Sequence, residues 1–149
     1  MSILVKQQIQ ALVDRETEGW NTKNPDLFLD LIHPDMVWPW PPTARDHDPV
    51  RWEFVLGHFD RERWRRNWQD LFDNYDLVHN RRDTVKIEVA AQQDAALAVV
   101  DIDTLWRHKL TKQDFHWKGR VCKIYTRMPG GEWKFIFQTG ALDYGLCQS

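Results

Sequence analysis

Serine is nearly missing from these 149 residues: Ser2 and Ser149, both terminal, are the only two. A serine nucleophile held by a His–Asp pair is therefore excluded. Cysteine is equally scarce. Cys122 and Cys147 have no metal-ligand spacing and make no disulfide framework, which leads us to expect a reduced, cytoplasmic protein. No apolar run approaches membrane-spanning length, and the opening MSILVKQQIQ lacks the layout of a secretory leader, so a soluble intracellular chain is expected. The net charge of −2 gives no global attraction for nucleic acid or an anionic membrane, and neither is expected as a partner. There is no glycine-rich phosphate loop, internal repeat, linker or low-complexity tract. Residues 1–149 read as one domain, long enough to bury a core.

What the chain does have is aromatic surface. Nine tryptophans bring the aromatic content to 13%, enough to line a cavity as well as fill a core. Two of them fall in VWPWPPTARDHDP, residues 37 to 49, where prolines alternate with Trp38 and Trp40.

Helical spacing places Val5, Ile9, Leu12, Val13 and Trp20 on one stripe of a helix over residues 3–20. Glu16 lies on that same stripe. Asn24 and Pro25 start a short second helix carrying Leu27, Phe28, Leu31 and Ile32, which ends before Pro34. Residues 36–40 read as a short strand held at a sheet edge by proline. Residues 43–57 read as loop, with a further short strand possible in WEFVL. Asp60 caps a third helix that Phe59 and Trp64 staple, and its apolar stripe runs through Trp64, Trp68, Leu71, Phe72 and Tyr75. Arg61, Arg63, Arg65 and Arg66 read as its solvated face. From residue 77 the period becomes two, giving four long strands over 77–91, 96–109, 115–128 and 132–144. The expected fold is α+β: three N-terminal helices packed on one face of a strongly curved, mostly antiparallel sheet.

Two stretches carry a resemblance. GWNTKNPDLFLDLIHPDMVW and GRVCKIYTRMPGGEWKFIFQTGALD resemble the helix-to-strand handover and the closing hairpin of the SnoaL-like branch of the nuclear transport factor 2-like superfamily. The resemblance spans nearly the whole chain and implies a cone-shaped, cystatin-like α+β barrel, an apolar pocket between sheet and helices, and frequent dimerisation. It implies no single reaction, since the branch holds isomerases, cyclases, dehydratases, oxygenase subunits and non-catalytic domains. It also implies that the segment after the second helix borders the pocket, which would set Trp38 and Trp40 in its wall or rim; the equal alternative is that both side chains plug the core. The steroid-isomerase relatives carry acidic groups near the positions held here by Trp40 and Lys123, and both are replaced.

Alternation then assigns faces. His79, Arg81, Asp83, Val85 and Ile87 share one face of the first long strand, with Val100, Ile102, Thr104, Trp106 and His108 on the second. Trp117, Lys123 and Tyr125 follow on the third, and Phe135, Phe137, Thr139 and Asp143 on the fourth. Turn closure sets Ile102 beside Lys123 and Thr104 beside Val121.

Glu16 is the anomaly, because a buried carboxylate needs a cation, hydrogen bonds or a retained proton. Lys123 and Arg81 are its expected partners. It reads either as a general acid/base or as half of a structural ion pair. His79, His108 and Asp143 read either as a proton-transfer set or as exposed strand ends; an iron triad from them is the less favoured reading. Asp46-His47-Asp48 is too local for a metal centre and reads as solvated loop, so no metal and no cofactor are expected.

The reading is a pocket protein for a small apolar or aromatic metabolite. If it is an enzyme, it is a cofactor-independent isomerase, cyclase or dehydratase using Glu16 or His108 as proton carrier and Lys123 and Arg81 as charge stabilisers. Trp38, Trp40, His79, Asp83, Thr104, Trp106, Trp117, Tyr125, Phe137, Thr139 and Asp143 would contact the ligand. The alternative is a non-catalytic ligand-binding or oligomerisation domain, similar to the small subunit of an aromatic-ring oxygenase. Leu97, Val99, Leu105, Cys122, Ile124 and Ile136 on the opposite sheet face suggest a homodimer.

Overall fold

A computed structural model describes residues 2–144 of the chain. The readings of Cys147 and Ser149, and of the Ser2 side chain, lie outside the described residues. Helices α1 (Ser2–Asn21), α2 (Asp26–Leu29) and α3 (Arg61–Asn74) pack against strands β1 (Ile32–Val37), β2 (Tyr75–Val89), β3 (Ala95–His108), β4 (Asp114–Arg127) and β5 (Trp133–Gln138). The strands form one curved open sheet in the order β1-β5-β4-β3-β2, antiparallel throughout except for the parallel β1–β5 pair. This is the expected α+β cone. Among the described residues no helix is long and apolar enough to cross a membrane.

The start signals of α3 act as their chemistry requires, whereas α2 begins one residue late, with Pro25 rather than Asn24 at the N-cap and no side-chain cap bond. Asp60 Oδ1 accepts from the Arg63 amide at 3.0 Å, and the Phe59 and Trp64 rings meet at 5.1 Å. α2 is shorter than its apolar spacing suggested. The Phe135 amide donates to the Leu31 carbonyl at 2.7 Å, and Ile32 pairs with Phe135 as the first residue of β1. Sheet pairing therefore takes over where a further helical turn was expected. The fourth long strand is also shorter, with regular pairing ending at Gln138. Gly140 then packs so closely on Pro41 that a Cβ there would lie 2.2 Å from the proline Cδ.

The sheet carries the main corrections. In β3 the even-numbered residues Ala96, Ala98, Val100, Ile102, Thr104 and Trp106 face the helices, as expected. In β4 Trp117, Val121, Lys123 and Tyr125 do the same. The β3–β4 hairpin closes early, at Arg107–Asp114, which sets Thr104 beside Trp117 and Ile102 beside Gly119. An even slide keeps every face and changes every neighbour.

β2 is different because it is bulged twice, between Leu77 and His79 and between Thr84 and Lys86. Each bulge inserts one residue and reverses the face that follows. Tyr75, Leu77, Ile87 and Val89 look inward, but between the bulges the inward residues are Asn80, Arg82 and Thr84. His79, Arg81 and Asp83 consequently lie opposite Leu105, Asp103 and Asp101, on the outer face. A further irregularity in β5 pairs Phe137 with Ile124 on that face and turns Gln138 inward beside Lys123.

Candidate functional site

Val5, Ile9, Val13, Glu16 and Trp20 are buried side chains of α1, and their spacing puts a carboxylate in an apolar stripe. Three elements meet it. The side chains of Glu16, Lys123 from β4 and Arg82 from β2 are only 2%, 1% and 5% exposed. Lys123 Nζ donates to Glu16 Oε1 at 2.9 Å and to Oε2 at 3.1 Å. Oε2 also accepts from Trp20 Nε1 at 3.0 Å and from Arg82 at 3.3 Å. Lys123 Nζ also donates to Gln138 Oε1 at 2.6 Å. Arg82 is steadied by Asn80 Oδ1 at 2.9 Å and Thr104 Oγ1 at 3.3 Å, and that hydroxyl donates to Asn80 at 2.7 Å.

Burial alone would push the Glu16 carboxyl up, but Lys123, Arg82 and the Trp20 N–H together hold it below its ordinary value of 4.5. Burial pulls both Lys123 and Arg82 down, against the attraction of Glu16. One carboxylate stands against two cations, so the cluster carries a formal surplus of one positive charge. Next to it, burial and the Glu16 charge push the Tyr125 phenol well above 10.0. The Tyr125 hydroxyl and the indole N–H groups of Trp68, Trp106 and Trp117 are buried with no hydrogen-bond partner among the described residues.

One cavity opens beside this cluster and a second lies beyond it. The inner one is bounded by Glu16, Arg82, Gln138, Trp20, Trp38 and Trp40, and its free volume is about 30 Å³. That is room for a water or two, not for a metabolite. The outer cleft, about 270 Å³, lies between α3 and the sheet and is lined by Leu56, Trp68, Leu71 and Tyr75. Trp40, Phe115 and Trp117 border both spaces and form the partition. Trp40 meets Trp117 edge-on at 5.5 Å and Trp68 at 5.4 Å. Its backbone is pinned by a two-way bridge to Glu53 at 2.7 and 2.9 Å, while Pro41 and Pro42 continue along the inner wall. The alternation of Trp and Pro thus builds a stiff aromatic border.

The residues singled out from the sequence divide by where the fold puts them. Glu16, Lys123, Thr104 and Tyr125 come together around the charge cluster, and Trp38, Trp40 and Trp117 line the cavities. Trp106 is fully buried, packed between Phe72 and Trp117 at 5.8 and 5.6 Å. The others are elsewhere. Arg81, Asp83 and His79 are on the outer face through the β2 bulges, and Phe137 through the β5 irregularity. The Thr139 hydroxyl accepts from the Cys122 amide at 2.9 Å. Asp143 lines neither cavity and has Lys118 4.0 Å away. His108 closes the β3–β4 hairpin, where Nδ1 accepts from the Leu110 and Thr111 amides at 3.2 Å. The His79–His108–Asp143 set is therefore not assembled. Asp46 and Asp48 are engaged locally, Asp46 by Thr43 and Asp48 by the Val50 amide.

Arg82 and Gln138 are the cluster members that alternation missed, and both lie just past a break in alternation. Asp103 and His116 were also missed; His79 and His116 both reach Asp103 on the outer face, at 2.8 and 2.6 Å.

No protein-family model and no curated protein matches this chain. Its likenesses are structural. A nuclear transport factor 2-like protein from Salmonella enterica is similar with a TM-score of 0.66 and 16% identity, over 100% of this chain and 99% of that one. A ketosteroid isomerase-like protein from Erwinia carotovora gives 0.64 and 11%, over 89% and 91%. A Novosphingobium aromaticivorans protein provisionally assigned as a scytalone dehydratase gives 0.67 and 11%, over 97% and 95%. These likenesses place the fold: it is nuclear transport factor 2-like.

Proposed function

We propose that the chain is a SnoaL-like pocket protein that binds a small, flat aromatic metabolite bearing an anionic or strongly hydrogen-bond-accepting oxygen. The observation that carries the reading is the unmatched cation beside the Trp-lined cavities, where Lys123 and Arg82 share the single carboxylate of Glu16. A buried surplus charge is costly and is relieved by an anion. Trp117, which borders both spaces, offers the same kind of ligand an N–H with no partner among the described residues, and the Tyr125 hydroxyl, which lines neither space, is a second such donor next to Glu16. Aromatic surface in the outer cleft suits a flat ring, and displacement of Trp40 would join that cleft to the inner space.

The arrangement favours binding over turnover. Both Glu16 oxygens are engaged, and the imidazole of His116, a residue that borders the inner cavity, is bonded to Asp103 on the outer face. Acid/base chemistry as an isomerase, cyclase or dehydratase is the second reading. It is supported by the same cation, which would stabilise an enolate, and by the names of two structural neighbours.

Titration of tryptophan fluorescence with 2-naphthoate and with neutral 2-naphthamide tests the proposal. Naphthoate should bind more tightly by roughly tenfold, about 1.4 kcal/mol. Lys123→Met should erase that preference, although Lys123 does not line the inner cavity. Equal affinity for the two probes, or no binding of either, would overturn the reading.

Dimerisation and a cytoplasmic location belong to the same proposal. Ile124 and the bulge residues Val78 and Val85, each more than a third exposed along the sheet, support the first, and the free thiol of Cys122 is compatible with the second. Sedimentation of Ile124→Lys against the parent chain checks self-association.

A further inference from the structure

The first β2 bulge does more than reverse a face. Had β2 kept strict alternation from Leu77, His79 would have pointed toward the helices. The extra residue, Val78, instead delivers the imidazole to the outer face, where β3 contributes Asp103 and β4 contributes His116. His79 Nε2 lies 2.8 Å and His116 Nε2 2.6 Å from the same oxygen, Asp103 Oδ1. The two imidazole planes are nearly perpendicular, at 87°, with centroids 6.1 Å apart. Potential ligand atoms of all three side chains fall within 4.8 Å of one another. Bulges of this kind recur where a side chain must be re-aimed.

We propose that His79, Asp103 and His116 form a binding site for a divalent transition-metal ion of the Zn²⁺ class, with water completing the shell. Two imidazoles and one carboxylate, with the remaining positions open, make the donor set that zinc takes in sites with three protein ligands. Ligand atoms in such a shell stand about 3.3 Å apart, given metal–ligand distances of about 2.0–2.2 Å. Entry of the ion therefore needs the two imidazoles to draw back from Asp103 by about half an ångström or slightly more, and ligand atoms now within 4.8 Å of one another to close around it, in side chains that are partly solvent-exposed. The cations nearby are Arg81 and Lys118, the cross-strand neighbours of Asp103; Arg120 is already paired with Asp101 at 2.7 Å. Their charge weakens the site without blocking it, because the bonds made by Asp103 go to the imidazoles. An ion here would join β2, β3 and β4 at the place where the bulge loosens their pairing.

Isothermal titration of the metal-free chain with Zn²⁺ at neutral pH tests this site. The expected result is one saturable equivalent and a rise in melting temperature. His79→Ala, His116→Ala and Asp103→Asn should each weaken binding by more than the roughly 10- to 100-fold that loss of an outer supporting partner costs. His47→Ala should leave binding unchanged. Imidazole chemical shifts of the unmodified chain, followed during the titration, give a readout independent of any variant, and those of His79 and His116 should move together. Absence of saturable binding would overturn the proposal, as would binding that survives the loss of both histidines or leaves their signals unmoved.

Discussion

Lys123 Nζ meets Glu16 at 2.9 and 3.1 Å, a contact between two residues 107 positions apart that fastens β4 to the C-terminal half of α1. It makes Arg82 the surplus charge. Had Lys123 been apolar, Glu16 and Arg82 would form a closed ion pair and the cavity beside them would be neutral. The second cation gives the core its attraction for an anion, and Gln138, accepting from Lys123 at 2.6 Å, helps to keep it there.

Removing the two partners should have unequal effects. Lys123→Met leaves Glu16 with Arg82, a neutral pair, whereas Glu16→Gln leaves two buried cations facing each other. Loss of one partner from a buried ion pair typically costs about 3–5 kcal/mol. We expect Glu16→Gln to fall in or above that range and Lys123→Met clearly below it. Chemical denaturation of both variants measures the order, and the reverse order would show that Arg82 does not compensate Glu16.

Acid should expose the same cluster. The Glu16 carboxyl is held below its ordinary value of 4.5 in the folded chain. The unfolded chain therefore takes up a proton first as the pH drops. The stabilisation is complete above about 4.5 and is lost as the pH falls through the lower, folded value. Unfolding free energy followed downward from neutral pH should decline in that window. Glu16→Gln should decline less steeply, because its share of the proton uptake is gone.

Gly119 is a sharper test of the closing segment. Its φ is +144°, and a Cβ there would lie 1.8 Å from the Leu142 carbonyl oxygen, where Leu142 bridges to Arg120. Backbone strain of about 1–3 kcal/mol and overpacking of about 1–3 kcal/mol add to roughly 2–6 kcal/mol for Gly119→Ala. Gly57 also has a positive φ, +63°, but the nearest atom to its Cβ position is 3.6 Å away, at the end of the Arg63 side chain. Gly57→Ala should cost only the conformational part, and thermal melts of the two variants should separate accordingly.

Periodicity and capping carried α1, α3 and the faces of β3 and β4, because these depend on local spacing, but not the end of α2, which sheet pairing decides. Glu16 stood out for the same reason, as a charge at a position whose neighbours one turn away are apolar. Arg82 was hidden by a signal that pointed the wrong way. Val85, Ile87 and Val89 alternate cleanly, and extrapolating backward from them puts Arg81 inside. Val85 is the inserted residue of a bulge and is 49% exposed, so its apolar character reports no face. A bulge is a property of two paired strands, and nothing in one strand's composition marks it. The same holds for Asp103 and His116, which are ordinary outward residues until the bulge at Val78 delivers His79 to them.

Tyr125→Phe separates the needs of the fold from those of a ligand. The phenol oxygen is fully buried and has no partner among the described residues, which costs about 1–3 kcal/mol. Removing it should leave stability unchanged or raise it within that range, although deletions in a core usually destabilise. The alkaline limb gives a second readout. The folded phenol titrates well above 10.0, so the unfolded chain loses its proton first. Stability should fall as the pH rises past about 10 in the parent chain, and that part of the fall should vanish in the variant. If the hydroxyl is held for an anionic ligand, Tyr125→Phe should at the same time weaken naphthoate binding while leaving naphthamide less affected. A variant that loses stability at neutral pH would instead mean that the hydroxyl serves the fold through a buried water.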